Sequence, residues 1–445
     1  MDVKSLQTLF AVSLIAALAP IVCAALPRPR IPQVVVLILC GVLIGNQGLG
    51  LANTSSIKLI SNVGLGFLFL LAGYELDPQL LREQAGKLAI TGWVLSAVVA
   101  VAAVAILGAF GYVRDFVPIG LALTTTALGT LLPILHDNDM LAGKFGRYVL
   151  AAGAVGELLP IVAISLFLTD RAEFAAVISI AAVCVVALLL TFLPRVVGED
   201  KLRAVIEQGQ RSTAQTTLRW SVVLLLLLLL AAARFGLDVV LGALLAGMVL
   251  RRWTRRMGVA VTSLEEKLDA LGYGFFIPVF FVTSGMTLDV KSIVEHPFRL
   301  IVFFVLLLVV RGLPSLLVYR RALPLRQRVE MTFIAATTMP LLIALAEVGL
   351  SDGVMIPANA AALVGAGVLS VLVFPSIAAA LARGNRPLPA TPDAATDAVV
   401  VTEARVVGEV SSEDDAPAPD EDGTASTEGH TAGGDIAEGY VAEAE

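Results

Sequence analysis

Charge is scarce in this chain of 445 residues: Asp, Glu, Lys and Arg make up 15%, against 57% hydrophobic residues and a mean hydropathy of +0.87. A soluble domain cannot enclose that much apolar side chain, so the water-soluble globular class is excluded and an all-α polytopic membrane protein is indicated. Cysteine is rarer still. Cys23, Cys40 and Cys184 lie far apart in apolar runs, with no CxxC or Cys/His spacing, which argues against a disulfide frame or a thiolate metal site. Phosphate-binding loops, soluble catalytic triads and metal motifs are missing as well. Neither enzyme chemistry, a cofactor nor nucleic-acid binding is therefore indicated. A basic start and a small-residue cleavage site are also lacking ahead of the first apolar run, which reads as a helix and not as a removable leader.

What charge there is falls unevenly. Residues 388–445 hold 15 Asp and Glu against one Arg, while residues 1–387 hold 30 Lys and Arg against 22 acids. The tail, rich in Ala, Thr, Asp, Glu and Gly, is too polar to bury a core and reads as disordered. In the body, a helix needs roughly 20 apolar residues to cross a hydrocarbon layer, and fewer where protein shields a break. Thirteen transmembrane helices follow, near 6–26, 31–46, 57–75, 86–110, 117–135, 145–168, 173–194, 218–236, 238–250, 272–286, 298–319, 329–350 and 355–382, the ninth and tenth being short. Loops on one side collect 22 Lys and Arg and those on the other seven. That asymmetry places the N-terminus outside the cell membrane and the tail in the cytoplasm. The charged stretch 199–219 reads as a cytoplasmic linker with an amphipathic helix.

Landmarks recur at fixed spacing. Gly73-Tyr74-Glu75-Leu76-Asp77 lines up with Gly285-Met286-Thr287-Leu288-Asp289, 212 residues on, and Thr125-Thr126 with Thr337-Thr338 at the same offset. Leu43-Ile44-Gly45 resembles Leu245-Ala246-Gly247 at an offset of 202. The matched spans lie seven apart, and an odd separation sends the copies through the membrane in opposite directions. Two inverted five-helix repeats are predicted, the plan of secondary transporters, whose substrate sits at mid-membrane between the repeats, often on discontinuous helices.

The fifth span holds Thr124-Thr125-Thr126-Ala127-Leu128-Gly129-Thr130 ahead of Pro133, and the twelfth holds Thr337-Thr338-Met339-Pro340. Threonine hydroxyls compete for backbone hydrogen bonds and proline removes a donor, so both spans are expected to unwind and to cross. Thr125, Thr126, the backbone of Leu128, Thr337 and Thr338 then become candidate oxygen donors for a cation; a pair of ordinary proline kinks is the plain alternative. Glu157, among the small residues Ala152-Gly153-Ala154-Val155-Gly156, is the clearest buried charge, since an ionised group at the bilayer centre costs at least about 2.5 kcal/mol. A carboxyl out of water can trade its proton for an arriving cation. Glu157 is thus the candidate site for proton and monovalent metal cation alike. Arg311, midway along the eleventh span, needs a carboxylate or carbonyl partner; pairing with Glu157 or a bridge to Glu347 would make it a charge-compensating or gating residue, and a structural clamp is the other reading. Glu347 is a second ligand or gate, or an interfacial acid beside Arg311. Asp77 and Asp289 read as caps of the segments that follow. Glu75, near the cytoplasmic end of its helix, is a weaker candidate, with the ion's entry path as the minority reading. His136, beside Asp137 and Asp139, is a solvated loop residue or a pH sensor, and the basic cluster from Arg251 to Arg256 is a surface anchor or a dock for the tail, whose partner is unknown.

Ile31-Pro32-Gln33 leading to Gly41-Val42-Leu43-Ile44-Gly45, the segment from Leu71 to Asp77, Leu241-Gly242-Ala243-Leu244-Leu245-Ala246-Gly247 and the run from Phe275 to Met286 together resemble bacterial monovalent cation:proton antiporters of the Kef and Nap type, over residues 5–385. The resemblance implies a sodium/proton antiporter-like fold within 1–387. Core helices would lie near 86–168 and 298–382, dimerisation helices near 6–75 and 218–286, and linker helices near 173–217. A homodimer embedded in membrane lipids would exchange Na⁺ or K⁺ for H⁺ as its core moves like an elevator. In such families the ion-binding acid corresponds to Glu157 and belongs to an acidic or Asn-Asp pair. Here Gly156 stands in the place of the first member, and Glu replaces the Asp. One carboxyl would exchange one cation for one proton, an electroneutral swap, and Arg311 matches the position where electroneutral relatives carry Arg. Kef-type proteins often add a nucleotide-binding domain; the acidic tail stands there instead. A sodium-coupled organic solute symporter, which needs a roomy polar cavity, and a cation channel are the competing readings.

Overall fold

Apolar helices of spanning length account for most of the residues that the computed structural model describes, which are 3–25, 31–137, 140, 141, 143–168, 173–197, 215–257 and 261–383. The acidic tail, residues 198–214 of the predicted linker and Asp139 lie outside them. Among the described residues nine helices are long and apolar enough to cross a membrane, and no strand occurs. Four of the thirteen expected spans fall short of that measure, each for a visible reason. Helix α2 (Gln33–Ile44), which follows α1 (Val3–Ala25), has only 12 residues, and α3 (Lys58–Glu75) is charged at both ends. After α4 (Pro78–Arg82) and α5 (Gln84–Ala109), the fifth span is divided into α6 (Phe116–Ala122) and α7 (Leu128–Asp137). Beyond α8 (Gly143–Phe167), α9 (Glu173–Val197) and α10 (Thr216–Arg234), α11 (Val239–Met257) ends in an arginine-rich turn.

The tenth span is longer than its apolar run suggests. Helix α12 (Val261–Leu271) leads directly into α13 (Ile277–Thr287), so that 264–287 forms one apolar span. Glu265, Glu266, Lys267 and Asp269 hide α12 in a hydropathy reading, yet Leu264 and Leu268, one turn apart, are buried and pin it to the body. After α14 (Val290–Glu295) come α15 (Pro297–Leu307), α16 (Pro314–Val318), α17 (Leu325–Ala336), α18 (Pro340–Ser351) and α19 (Pro357–Arg383).

Two packings explain why the sequence repeats its glycines. Helix α2 crosses α13, and α3 crosses α11. A methyl added at Gly41 would stand 2.2 Å from Val282 O, one at Gly285 2.2 Å from Ile38 O, and one at Gly73 or Gly247 2.1 Å from Leu244 O or Leu70 O respectively. Backbones touch at both crossings, and no Cβ fits between them.

Two wide turns interrupt the regular pitch of later helices. Gly272–Phe276 joins α12 to α13, and Leu308–Gly312 joins α15 to the segment leading into α16; each is closed by an i→i+5 bond, from Ile277 N to Gly272 O and from Leu313 N to Leu308 O. Pro278 and Pro314 follow immediately. Lacking an N–H, they cannot bond the carbonyls of Gly274 and Val310, which favours the widened geometry. Tyr273 and Arg311 sit on these two turns.

Candidate functional site

Helical geometry lapses between α6 and α7 at residues 123–127 and between α17 and α18 at 337–339, and the two lapses meet. Ala127 N donates to Thr337 O at 2.9 Å, and Thr126 Oγ1 donates to Ala335 O at 2.7 Å. The hydroxyls of Thr125 and Thr338 stand 2.6 Å apart. Since Thr125 gives its proton to Ala122 O at 2.7 Å, Thr338 is the donor between them. Thr337 donates to Phe333 O, and Ser370 of α19 both accepts from Thr338 N at 3.1 Å and lies 2.9 Å from Thr338 O. All these side chains are buried. The crossing thereby satisfies the backbone groups that its breaks release, which a low-dielectric interior requires.

Glu157 reaches the crossing from α8. Its Oε1 accepts the N–H of Leu128 at 2.7 Å and that of Gly129 at 3.5 Å, the first amides of α7, so the carboxylate stands at the positive end of a half-helix. Leu128 therefore contributes its N–H to the site, where the sequence suggested an oxygen. Thr126 N donates to Gly156 O at 3.0 Å and ties the break to α8. The Glu157 side chain is 7% exposed and lines a cavity of about 20 Å³ together with Thr126, Thr130, Glu75 and Tyr273, walled by Leu68, Phe69, Pro340 and Leu341. Thr125, Thr337 and Thr338 are bonded into the crossing and do not line that cavity.

Of the partners open to Arg311 in the sequence, the structure supplies a backbone carbonyl and a hydroxyl, not a carboxylate. Neither Glu157 nor Glu347 forms an ion pair with it among the described residues. Instead Arg311, 3% exposed, donates from Nε to Thr126 Oγ1 at 2.8 Å and from Nη2 to Ala152 O at 3.0 Å. The wide turn before Pro314 presents the guanidinium to the α8 backbone and the first break. Glu347 lies two turns beyond Pro340 on α18, in a separate cavity of about 400 Å³ with Lys58, Asp238 and Asp352. Arg311 also closes the position beside Glu157: a methyl at Gly156 would stand 2.6 Å from Thr126 Cβ and 2.7 Å from Arg311 Nη2. A side chain there would have to displace Thr126 and the end of Arg311.

The weaker candidates find ordinary partners. Asp77 accepts from Gln79 N at 2.9 Å, capping α4, and pairs with Arg255 at 3.1 Å and Arg251 at 3.7 Å. Asp289 caps α14 through Ser292 N and also accepts from the side chains of Ser292 and Gln47; these bonds hold its carboxyl below the usual carboxylate range. Three groups escape a sequence reading. Ser370 shows only as a hydroxyl in an apolar run, Tyr273 only as part of a Gly-Tyr-Gly ahead of Pro278, and Asp115, which accepts from Ile356 N and Asn359 Nδ2, only as an acid before a short helix.

Comparison with known proteins agrees with this geometry. Residues 13–384 match the family described as sodium/hydrogen exchanger, transmembrane. YjbQ of Bacillus subtilis (strain 168), named as a candidate Na⁺/H⁺ antiporter, is 25% identical over 364 residues, covering 78% of this chain and 58% of YjbQ. The glutathione-regulated potassium-efflux system protein KefC of Escherichia coli (strain SMS-3-5 / SECEC) is 24% identical over 287 residues, covering 62% of this chain and 44% of KefC. The chain thus spans about half the length of these curated relatives. The structure of the sodium proton antiporter MjNhaP1 from Methanocaldococcus jannaschii at pH 8 shares the fold, with a TM-score of 0.64 at 17% identity over 85% of this chain and 99% of that one.

Proposed function

The chain belongs to the transmembrane sodium/hydrogen exchanger family, a family of multi-pass membrane transporters and not of enzymes, and on that premise we propose that it is a secondary active antiporter exchanging one monovalent cation, Na⁺ or K⁺, for one H⁺. The observation that carries this reading is the single carboxylate of α8, held at the N-terminus of α7 and open to a cavity of about 20 Å³. That volume admits an ion or one water and excludes an organic solute, which favours ion exchange over solute symport.

Glu157 is the shared site. With a proton bound, the carboxyl is neutral and tolerable out of water; when a cation enters, the proton leaves and the carboxylate, Thr126 and Thr130 offer it oxygens. Charge in the cavity is the same in both loaded states, so the exchange is electroneutral. Arg311 holds the Thr126 hydroxyl in place and adds a fixed positive charge behind it. The two breaks belong to two inverted five-helix repeats, and the group built from α5 to α8 and α15 to α19 moves as an elevator against α1 to α3 and α10 to α13, whose exposed faces, with Phe10, Ile21 and Trp220, meet lipid or the second copy of a homodimer. The N-terminus is outside and the C-terminus cytoplasmic, as the loop charges dictate.

In proteoliposomes carrying a pH-sensitive dye, Na⁺ or K⁺ added outside drives protons across the membrane, and Glu157→Gln abolishes the signal. Undiminished exchange in that variant excludes the assignment.

A further inference from the structure

A third cavity, of about 600 Å³, opens where two apolar spans end side by side. Span 84–109 begins there with Gln84 and Leu88 of α5, and span 297–321 ends there with Leu317, Val318, Arg320 and Arg321, the arginines lying in a 3₁₀ turn that follows α16. The two walls touch: a methyl at Gly92 of α5 would stand 4.0 Å from Val318 Cγ1. Leu317 is 63% exposed and Leu313, one turn earlier, is 44% exposed, so an apolar strip leads into the groove. The guanidinium groups of Arg320 and Arg321 are exposed and have no partner among the described residues. Nearby basic groups are engaged by the protein: Arg326 donates to Leu381 O at 2.6 Å, Arg328 donates to Leu316 O at 2.9 Å, and Arg147 is paired with Glu83, the acid beside Gln84.

We propose that this groove binds an anionic glycerophospholipid, its phosphate held by Arg320 and Arg321 and the upper part of an acyl chain laid along Leu317 and Leu313. The chemistry of the walls carries the assignment. A soluble anion would match the charge and leave the apolar strip uncovered; a zwitterionic lipid would cover the strip but bring an ammonium to two guanidinium groups. A lipid with a net negative headgroup satisfies both halves. Depth agrees, because the arginines close an apolar span of 25 residues, which sets them at headgroup level. Topology accounts for basic residues on this side, yet it asks for no cavity between them, and this one lies within the roughly 300 to 1,000 Å³ of small-molecule sites. The site also has something to act on. The wide turn that carries Arg311 leads through Leu313 into α16, and Tyr319, next to Arg320, packs edge-on against Tyr148 of α8 with ring centroids 5.5 Å apart. A lipid clasped there braces the one segment that carries both the arginine pair and Arg311.

Binding is read without transport, so the test does not depend on the antiporter reading. Delipidated wild type, Arg320→Gln/Arg321→Gln and, as a control of equal charge change at exposed arginines outside the groove, Arg114→Gln/Arg234→Gln are titrated in neutral detergent with phosphatidylglycerol, phosphatidylcholine or glycerol 3-phosphate. The rise in melting temperature and the lipids retained in native mass spectra are followed. Phosphatidylglycerol is expected to raise the melting temperature of wild type and control saturably, with a half-saturating concentration about thirtyfold higher in the Arg320/Arg321 variant, the loss of two basic contacts to an anionic headgroup. Phosphatidylcholine and glycerol 3-phosphate are expected to leave it unchanged. An equal response to phosphatidylcholine removes headgroup recognition, an equal response to glycerol 3-phosphate makes the occupant a soluble anion, and equal half-saturation in variant and control places the lipid elsewhere. A wild-type dimer that the Arg320/Arg321 change alone dissociates assigns the groove to a second copy of the chain. Each of these overturns the proposal. Should the variant fail to fold, Ala322→Trp decides, since Ala322 lines the groove and an indole there fills it without changing its charge: weakened phosphatidylglycerol binding supports the site, and unweakened binding overturns it.

Discussion

The two broken spans start from the same threonine pair and end in different occupations. In the first, the amides that open α7 point at Glu157, and Thr126, its hydroxyl held between Arg311 and Ala335 O, lines the cavity beside that carboxylate. In the second, Ser370 accepts the N–H of Thr338 and shares its hydroxyl proton between the carbonyls of Thr338 and Gly367, while Thr337 O accepts from Ala127 N and the Thr337 hydroxyl donates to Phe333 O. That break is closed upon the protein and serves as the strut against which the first is held. On the proposed reading the two interruptions come from one duplicated segment, and the ligand face is left on the first of them.

The comparison can be broken or sharpened at several points. The largest effect is expected at Gly156→Ala, because the new methyl collides with Thr126 and with Arg311 Nη2. Exchange should fall by about fivefold to 150-fold if the 1 to 3 kcal/mol that overpacking costs falls on the geometry of the site, and a size-matched substitution beside the second break should not reproduce this loss. Arg311→Met comes next: Thr126 Oγ1 and Ala152 O lose charge-assisted donors, a cost of about 1.5 to 3 kcal/mol in stability, accompanied by a weaker cation affinity because Thr126 is no longer oriented. Ser370→Ala should lower the melting temperature, a loss of about 1 to 3 kcal/mol for stranded polar groups, while leaving the half-saturating cation concentration unchanged. If Ser370→Ala shifts cation affinity as strongly as Thr126→Val does, the division into ligand face and strut is wrong. The smallest effect belongs to Asp289. Its carboxyl is held below the usual range by Ser292 and Gln47, so its contribution is complete above that ordinary range and is lost as pH falls through the lowered value. Asp289→Asn should therefore reduce thermal stability slightly at neutral pH, with the difference from wild type fading in acid.

Much of the fold is legible because a membrane narrows the choices. Gly41, Gly73, Gly247 and Gly285 stand out in apolar runs, and each is a point where two backbones touch. The sites of the breaks are legible because threonines beside a proline cannot sustain a helix. Glu157 is legible because an acid in that setting is rare. The partners are not. Arg311 bonds Thr126 because a five-residue wide turn redirects it, and no spacing in the sequence announces such a turn. Glu347 lies in a different cavity from Arg311 for want of any rule fixing the rotation of α18 about its axis. Helix α12 is obscured because four charged residues on its surface outweigh the two leucines that anchor it. That Glu75 lines the same cavity as Glu157 depends on which wall α3 forms, a fact of tertiary packing alone.

The claim that cation and proton compete for one buried carboxylate is tested most directly with a pH electrode. Purified protein in weakly buffered detergent near neutral pH should release about one proton for each Na⁺ or K⁺ bound, in keeping with ligands that must be deprotonated to bind a metal ion, and Glu157→Gln should release none. Cation binding at full affinity without proton release would contradict the account.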